Sequence, residues 1–546
     1  MPRHGGRILA DQLAIQGVER VFSVPGESFL AALDGLYDHA IANVVCRQEG
    51  GAAMMAEATA KLTGRPGVVF VTRGPGATNA SAGLHVAMQD ATPLVAFVGQ
   101  IARGHRDRGA FQEVDYRAFF GPLVKWAAEI DQTERIPEYV ARAFSVAQSG
   151  RPGPVVLALP EDMLSATAVV VTDRPRVVLP RPAVPDLRPM LARIARAERP
   201  LVVAGGSDWS QAAADALRDW AERSGLPVAV DFRRQDYVDN RSPCYAGDLN
   251  VGPNPDLMAR LRRSDLIVAL GSRLGDIETQ GFAALDPVQD GPALIHVHPE
   301  AEAINGLWSA EIAIQARAAD VAVALAADGT ALPGWMPVQG RARESYEAWA
   351  RPRPTPGAVK LEQVIAHLDA VLPEDAIVTN GAGNYAAFLH RYYRWTRFGT
   401  QLAPTSGSMG YGFPAAVAAS IAHPGRPVVC LAGDGCFQMT LNEMSTAVQH
   451  GATPVVIVCN NGRYGTIRMH QEKHYPGRVS GTDLASPDFG ALARAYGGQG
   501  WRVETQEAFA PSLDAALGCG TVAVIELMLD PDMLSTGASL SDMAPG

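Results

Sequence analysis

Residues 428–461 read VVCLAGDGCFQMTLNEMSTAVQHGATPVVIVCNN. Val428 to Ala432 is an apolar, β-branched run that ends on Gly433-Asp434-Gly435. Thr440-Leu441-Asn442-Glu443 then has the capping-box form that opens a helix. Gly451 closes that helix, and Thr453-Pro454 leads into a second apolar run. Strand, helix and strand in this order imply parallel neighbours. Asp434 and the pair Asn460-Asn461 therefore fall at the carboxyl ends of strands in one sheet, the edge where open α/β sheets bind ligands. A carboxylate, an amide oxygen and a loop carbonyl are hard oxygen donors of the kind Mg²⁺ takes, with substrate phosphates completing its shell. A lone Gly-Asp-Gly reads more simply as a turn capped by its own Asp. The Asn pair 27 residues on (461 − 434) is what favours the metal.

The same grammar recurs outward along the chain. Short apolar runs lie at 68–71, 94–99, 201–206, 266–271 and 455–460, separated by Gly-rich turns and helical patterns. Pro-rich stretches at 173–189 and 351–356 resist both helix and central strand and read as linkers. They divide the chain into three α/β blocks, 1–175, 190–340 and 357–546, each expected to be a doubly wound parallel sheet. The first block repeats the pattern of the third, with VVFVTRGPGATNASAGLHVAMQDATPLVAFVG at 68–99. Shared β-α-β grammar and internal duplication both account for that likeness.

Composition narrows the class. The chain has 546 residues, with 47 Lys plus Arg against 57 Asp plus Glu, a formal charge of −10 that argues against a nucleic-acid partner. Hydrophobic residues at 47% and charged residues at 19% are ordinary for a globular protein, which sets disorder aside. Six cysteines (46, 244, 430, 436, 459 and 519) form no CxxC pair, so neither a disulfide framework nor a zinc site is expected, and a reducing cytoplasm fits. Residues 1–26 interleave charges with apolar residues, unlike a signal peptide. No run approaches the roughly 20 apolar residues that span a bilayer. The terminal Ala544-Pro545-Gly546 matches no targeting address. His296-Val297-His298 places two imidazoles on one strand face, but with no third ligand the pair reads as structural.

In order and spacing, VFSVPGESFLAALDGL, RQEGGAAMMAEATAKLTG, VTRGPGATN, FQEVD, VKWA, SGSMGYGFPAA, GDGCFQMTLNEMSTAV and NNGRYGTIR together resemble the thiamine-diphosphate enzymes, specifically the acetolactate synthase type. The resemblance spans nearly the whole chain. It implies pyrimidine-binding, central and diphosphate-binding domains, thiamine diphosphate and Mg²⁺ as cofactors, and small 2-ketoacid or aldehyde substrates. By the same resemblance Glu49 touches the cofactor pyrimidine and shares a proton with its ring nitrogen. Its place between a strand-like run at 43–46 and an apolar helix beginning near Ala52 predicts poor hydration and a raised pKa. Met409 would wedge between the cofactor rings, the Gly407 carbonyl would accept from the aminopyrimidine, and Asp434, Asn461 and the Arg463 carbonyl would hold the metal. Asn384-Tyr385 stands where this family carries Gln-His against the diphosphate. Pro25, Thr72, Asn79, Gly433, Gly435 and Cys436, inside the matching motifs, are assigned to cofactor binding.

Phe111 resembles the family's substrate pocket and Gln112 its catalytic glutamine. The adjacent His pair of pyruvate decarboxylase relatives is missing, which leans toward carbon–carbon ligation. Departures concern the acceptor: His470 stands where the family has a selecting Trp, and Gln48 replaces the usual His before Glu49. His470 reads equally as an acid–base group or as a solvated loop residue. In the central block, Gly205-Gly206 and GSRLGD at 271–276 resemble flavin-contacting segments, while His298 replaces an expected Asp, which weakens FAD and leaves ADP or no ligand as the alternatives found in related enzymes. The family's site is split between subunits, which implies a homodimer or homotetramer. The small-residue helices after Glu49 and after Met409 could pack across that interface or within one chain. The main reading is 2-ketoacid decarboxylation with carboligation to a second carbonyl. A simple decarboxylase or aldehyde lyase, resembling benzoylformate decarboxylase or benzaldehyde lyase, is the alternative. A non-catalytic cofactor-binding scaffold is the third reading, disfavoured by Glu49.

Overall fold

Three six-stranded sheets, parallel throughout, follow one another along the chain. The computed structural model describes residues 2–170, 173–288, 291–533 and 535–543; the C-terminal tripeptide 544–546 lies outside them. The apolar runs become strands because nearly every residue is buried on both faces, as parallel sheets covered by helices require. The first sheet is ordered Ala42–Val45, Arg20–Ser23, Gly67–Val71, Leu94–Gln100, Pro154–Pro160, Trp126–Glu129. The third is ordered Gln401–Leu402, Ile377–Asn380, Val428–Gly433, Val455–Asn460, Ala523–Met528, Gln499–Val503. Numbered along the chain, both are 2-1-3-4-6-5. The two similar sequence stretches thus form the same pair of strands, third and fourth, in two sheets of one topology. The central sheet follows the doubly wound order 3-2-1-4-5-6, from Tyr245–Leu249 to Ile312–Gln315.

In the outer sheets the chain reverses direction between the first and third strands, and the loops leaving those strands form the crevice. In the first sheet these loops carry Pro25 and Thr72; in the third they carry the 381–383 turn and Asp434. The helix that follows the second strand is Glu49–Thr63 in one and Gly412–Ala422 in the other. These two helices pack against each other inside the chain, with Ala52, Ala53 and Ala56 of the first and Ala415, Ala416 and Ala419 of the second fully buried. Their small-residue faces are therefore used within the chain. Between them Tyr411 Oη donates to Glu57 Oε2 at 2.6 Å, Thr92 Oγ1 donates to Glu57 Oε1 at 2.7 Å, and Lys61 Nζ bridges Glu57 and Asp90. Burial raises the pKa of Glu57, against the pull of Lys61.

Two local expectations are corrected. The Glu49 helix begins at Glu49 itself, capped by the Gln48 side chain, which accepts from Gly51 N at 2.9 Å. The expected capping box at 440–443 does not form. Leu441–Glu443 is a single 3₁₀ turn in which Thr440 Oγ1 donates to Gly410 O and the Glu443 carboxylate turns to the first domain. No described helix is long and apolar enough to cross a membrane.

Tyr411→Phe removes one donor from the buried Glu57 carboxylate. We expect a loss of about 1–3 kcal/mol, the usual cost of a buried acceptor left short of a partner, read as a lower urea midpoint. An unchanged midpoint would show that this network does not fasten the first domain to the third.

Candidate active site

The parallel register pairs Gly433 with Cys459, which places Asp434 beside the 461–463 turn. A cavity of about 230 Å³ opens there, lined by Asn384, Tyr385, Gly407, Met409, residues 433–436, Asn461, Arg463 and Thr466 among others. Asp434 is 2% exposed; its Oδ2 accepts from Ser486 Oγ at 2.9 Å and from Gly462 N at 3.1 Å. Burial pushes its pKa up, only partly opposed by these hydrogen bonds. A buried carboxylate held by neutral donors suits a divalent cation. Among the described residues no group of three or more His, Cys, Asp or Glu could hold a metal. A cation at this place would find one carboxylate with amide and carbonyl oxygens beside it, an oxygen set of the kind Mg²⁺ takes. Asn461 Oδ1 accepts from Arg463 N at 3.3 Å, which closes the turn, and the Arg463 carbonyl accepts from Gly465 N at 3.0 Å.

Around the same cavity, Asn384 N donates to Thr466 Oγ1 and Thr466 Oγ1 donates to Asn384 Oδ1, both at 3.0 Å. Tyr385 Oη donates to Cys436 Sγ at 3.2 Å, and the Gly410 amide donates to the same sulfur at 3.1 Å. Gly407 and Gly410 have φ of +65° and +80°, so the chain bends on either side of half-buried Met409 before entering the helix Gly412–Ala422.

The N-terminal candidates form a second group at the equivalent edge of the first sheet. Asn79 Nδ2 donates to Glu49 Oε2 at 3.0 Å. Glu49 Oε1 faces Gly76, where a Cβ would lie 3.2 Å away. Thr72 shares a hydrogen bond with Ser28 and fills the space over Gly26, next to exposed Pro25. Gln112 has φ of +64° and packs on Gly74, a non-glycine residue held in the left-handed region. Glu49 is half-buried in the single chain, less enclosed than its flanking sequence predicts. None of this group lines the Asp434 cavity.

Phe111, expected in the substrate pocket, is 74% exposed. His470 lies on the helix Gly465–His474 rather than in a loop, exposed and stacked on His474 with ring centroids 6.2 Å apart. Neither residue lines the cavity of the single chain. Ser486 and Glu443 escaped the sequence reading. Ser486 lies 52 residues beyond Asp434 in a loop with no motif, and the helix-start pattern of 440–443 masked the real partner of Glu443.

In the central domain, Gly206, Asp231, Arg234, Arg273, Glu278 and His298 line a cavity of about 140 Å³. Asp231 turns back into the Gly205-Gly206 turn. A Cβ on Gly205 would lie 1.7 Å from Asp231 Oδ2, the Gly206 amide hydrogen-bonds to Asp231, and Ser272 Oγ donates to its Oδ1 at 2.6 Å. Burial beside Glu278 raises the Asp231 pKa well above the usual carboxylate range. His298 accepts from Glu300 N, and burial pushes its pKa down to about 4. His296 Nε2 lies 3.0 Å from Ser272 O, so each imidazole of the pair has its own backbone partner.

Comparison with known proteins adds three family matches. Residues 3–119 match the N-terminal TPP binding domain of thiamine pyrophosphate enzymes, 187–325 the central domain, and 381–527 the C-terminal TPP binding domain. The acetolactate synthase isozyme 2 large subunit of Escherichia coli K12 is 30% identical, covering 99% of each chain. An acetolactate synthase of Mycobacterium bovis is 32% identical over 92% of this chain and 84% of its own. An acetolactate synthase large subunit of Haemophilus influenzae is 31% identical over 94% and 92%.

Ser486→Ala would remove a donor that orients Asp434 while leaving the carboxylate in place. Loss of such an orienting partner typically costs 10–100-fold in metal affinity, so we expect Mg²⁺-dependent cofactor retention to weaken by about 10-fold in equilibrium dialysis. Unaltered retention would mean that Asp434 is oriented by the backbone amides alone.

Proposed function

The chain belongs to the thiamine pyrophosphate enzymes of the acetolactate synthase type, and on that footing we propose how its own residues divide the work of 2-ketoacid decarboxylation and carboligation. The observation that carries the proposal is the buried, cation-poor Asp434 at the crevice of the third sheet, beside the 461–463 turn. Asp434, Asn461 and the Arg463 carbonyl would hold Mg²⁺ and, through it, a diphosphate. Met409 and the Gly407 carbonyl border the same cavity and would orient the rings. Thiamine diphosphate, when bound, supplies the carbon nucleophile for a keto carbonyl and the electron sink for loss of CO₂. Glu49, fixed through Oε2 by Asn79, would hold a proton at the pyrimidine nitrogen through its other oxygen. Gln112 would approach the reacting carbons, its backbone already bent to present it.

The two groups complete one another when two copies of the chain face each other, which makes a homodimer the smallest active unit. Supporting this, Phe111 and Leu30 on one half and Met439 and Ile467 on the other are between 50% and 74% exposed, apolar surface of the kind a partner covers. Glu49→Gln should lose at least about 10²-fold in turnover while still binding cofactor. Asp434→Ala should abolish Mg²⁺-dependent cofactor retention. Mixing these two inactive subunits regenerates one intact site per hybrid, so activity should reappear on subunit exchange. Confirmed exchange without recovery would sink the split site. Product analysis with pyruvate, benzoylformate and aldehydes separates ligation from simple decarboxylation: a ligated 2-hydroxyketone supports the reading, and free aldehyde alone favours the lyase alternative.

A flavin is not part of the proposal. Its diphosphate would need the Gly205-Gly206 turn, and there the Asp231 carboxylate fills the space and takes the Gly206 amide. Protein incubated with excess FAD and desalted should carry no absorbance near the flavin band. One equivalent of retained FAD would refute this part of the reading.

A further inference from the structure

The Glu443 carboxylate, expected at the start of its own helix, crosses from the third domain to the first. It is fully buried and accepts from Gln48 N at 3.0 Å and from Arg47 N at 3.1 and 3.2 Å, while Thr446 Oγ1 donates to its Oε2 at 2.5 Å. Gly51 makes room for it, since a Cβ there would lie 2.7 Å from Glu443 Oε1. The same segment reaches the turn twice more: Val45 N donates to His450 Nε2 at 3.0 Å, and Arg47 hydrogen-bonds to Gln449. The two amides held by Glu443 belong to the residues immediately before Glu49, and Gln48 caps the helix that Glu49 begins. Moving this turn moves Glu49.

We propose that Glu443 is a positioning residue for Glu49. It does not touch substrate or cofactor; it fixes the backbone from which the Glu49 carboxylate is presented. Its own place is set by the diphosphate side. It lies nine residues after Asp434 (443 − 434), and between them Thr440 Oγ1 donates to the carbonyl of Gly410, next to Met409. One short segment therefore carries the proposed metal ligand at one end and the hold on Glu49 at the other. On the split-site reading, on which this further step rests, those ends serve different active sites. Glu443 holds the Glu49 of its own chain, which completes the cofactor site of the partner.

The first test uses homomeric enzyme. Glu443→Ala leaves the Arg47 and Gln48 amides without this acceptor. In Glu443→Gln an oxygen in the place of Oε1 can still accept from both amides, while the nitrogen in the place of Oε2 faces Thr446 and gives up the second half of the forked bond from Arg47 N. We expect the alanine variant to lose about 10²-fold in kcat, the cost of misplacing a catalytic group by an ångström, with KM and cofactor affinity little changed. The glutamine variant should restore kcat to within a few-fold of the parent. Equal kcat in all three proteins overturns the proposal. So does a loss in both variants that follows cofactor affinity and unfolding temperature, since a merely structural residue behaves that way.

The second test locates the effect in the dimer. One subunit carries Asp434→Ala and the other Glu49→Gln, so the single working site uses Glu49 of the first and Asp434 of the second. Adding Glu443→Ala to the first subunit should slow the hybrid at least tenfold more than adding it to the second. Equal slowing, or the reverse order, overturns the assignment of Glu443 to its own chain's Glu49. Hybrids inactive before any change at Glu443 refute the split site instead, and the homomeric kinetics then decide the proposal.

Discussion

The packing of the helix Glu49–Thr63 on the helix Gly412–Ala422 is the constraint from which the site geometry follows. Both are rich in alanine, so their backbones approach closely and leave little room to slide. Glu57, Lys61 and Tyr411 fix the register, because a buried carboxylate tolerates only the arrangement that supplies all its partners. One helix begins at Glu49 and the other follows Met409, so a contact with no role in chemistry determines where both groups stand.

Much of this arrangement was legible in the chain because parallel strands buried on both faces announce themselves as apolar runs. VVCLAG and VVIVCN are strands at the residues read, and Asp434 and Asn461 fall at their carboxyl ends as expected. What escaped depended on contacts distant in sequence. The 440–443 pattern satisfies a local rule, yet the Glu443 carboxylate is used elsewhere: it accepts from two main-chain donors almost 400 residues earlier in the chain. Hydration of Glu49 was misread for a related reason. Flanking apolar residues predict an enclosed carboxylate, whereas Glu49, at the first position of its helix, stays half-buried in the single chain. The closeness of the two small-residue helices followed from composition; whether they met within one chain did not.

The central domain adds to its motif a side chain that the motif does not name. Gly205-Gly206 and Gly271 form the crevice expected of such a fold, at the point where the sheet order reverses. A single side chain from the next strand, Asp231, occupies the space over Gly205 in that crevice. Glycines license the close approach of a ligand; they do not require that a ligand be the group that approaches.

The linker between the first and central domains has a consequence of its own. Gln12 exchanges hydrogen bonds with both backbone groups of Arg174, and Gln16 does the same with Pro175 O and Val177 N. Two side-chain amides thus treat an extended, proline-rich segment as a neighbouring strand would. The tether that could swing freely shortens from the 17 residues of 173–189 to those beyond Val177. A chain's reach grows only as the square root of its free length, so this stapling trims the volume open to the central domain by geometry alone. It also places part of the ordering cost of that crossing on the helix Gly5–Ile15 and its cap Gln16, which are folded in any case.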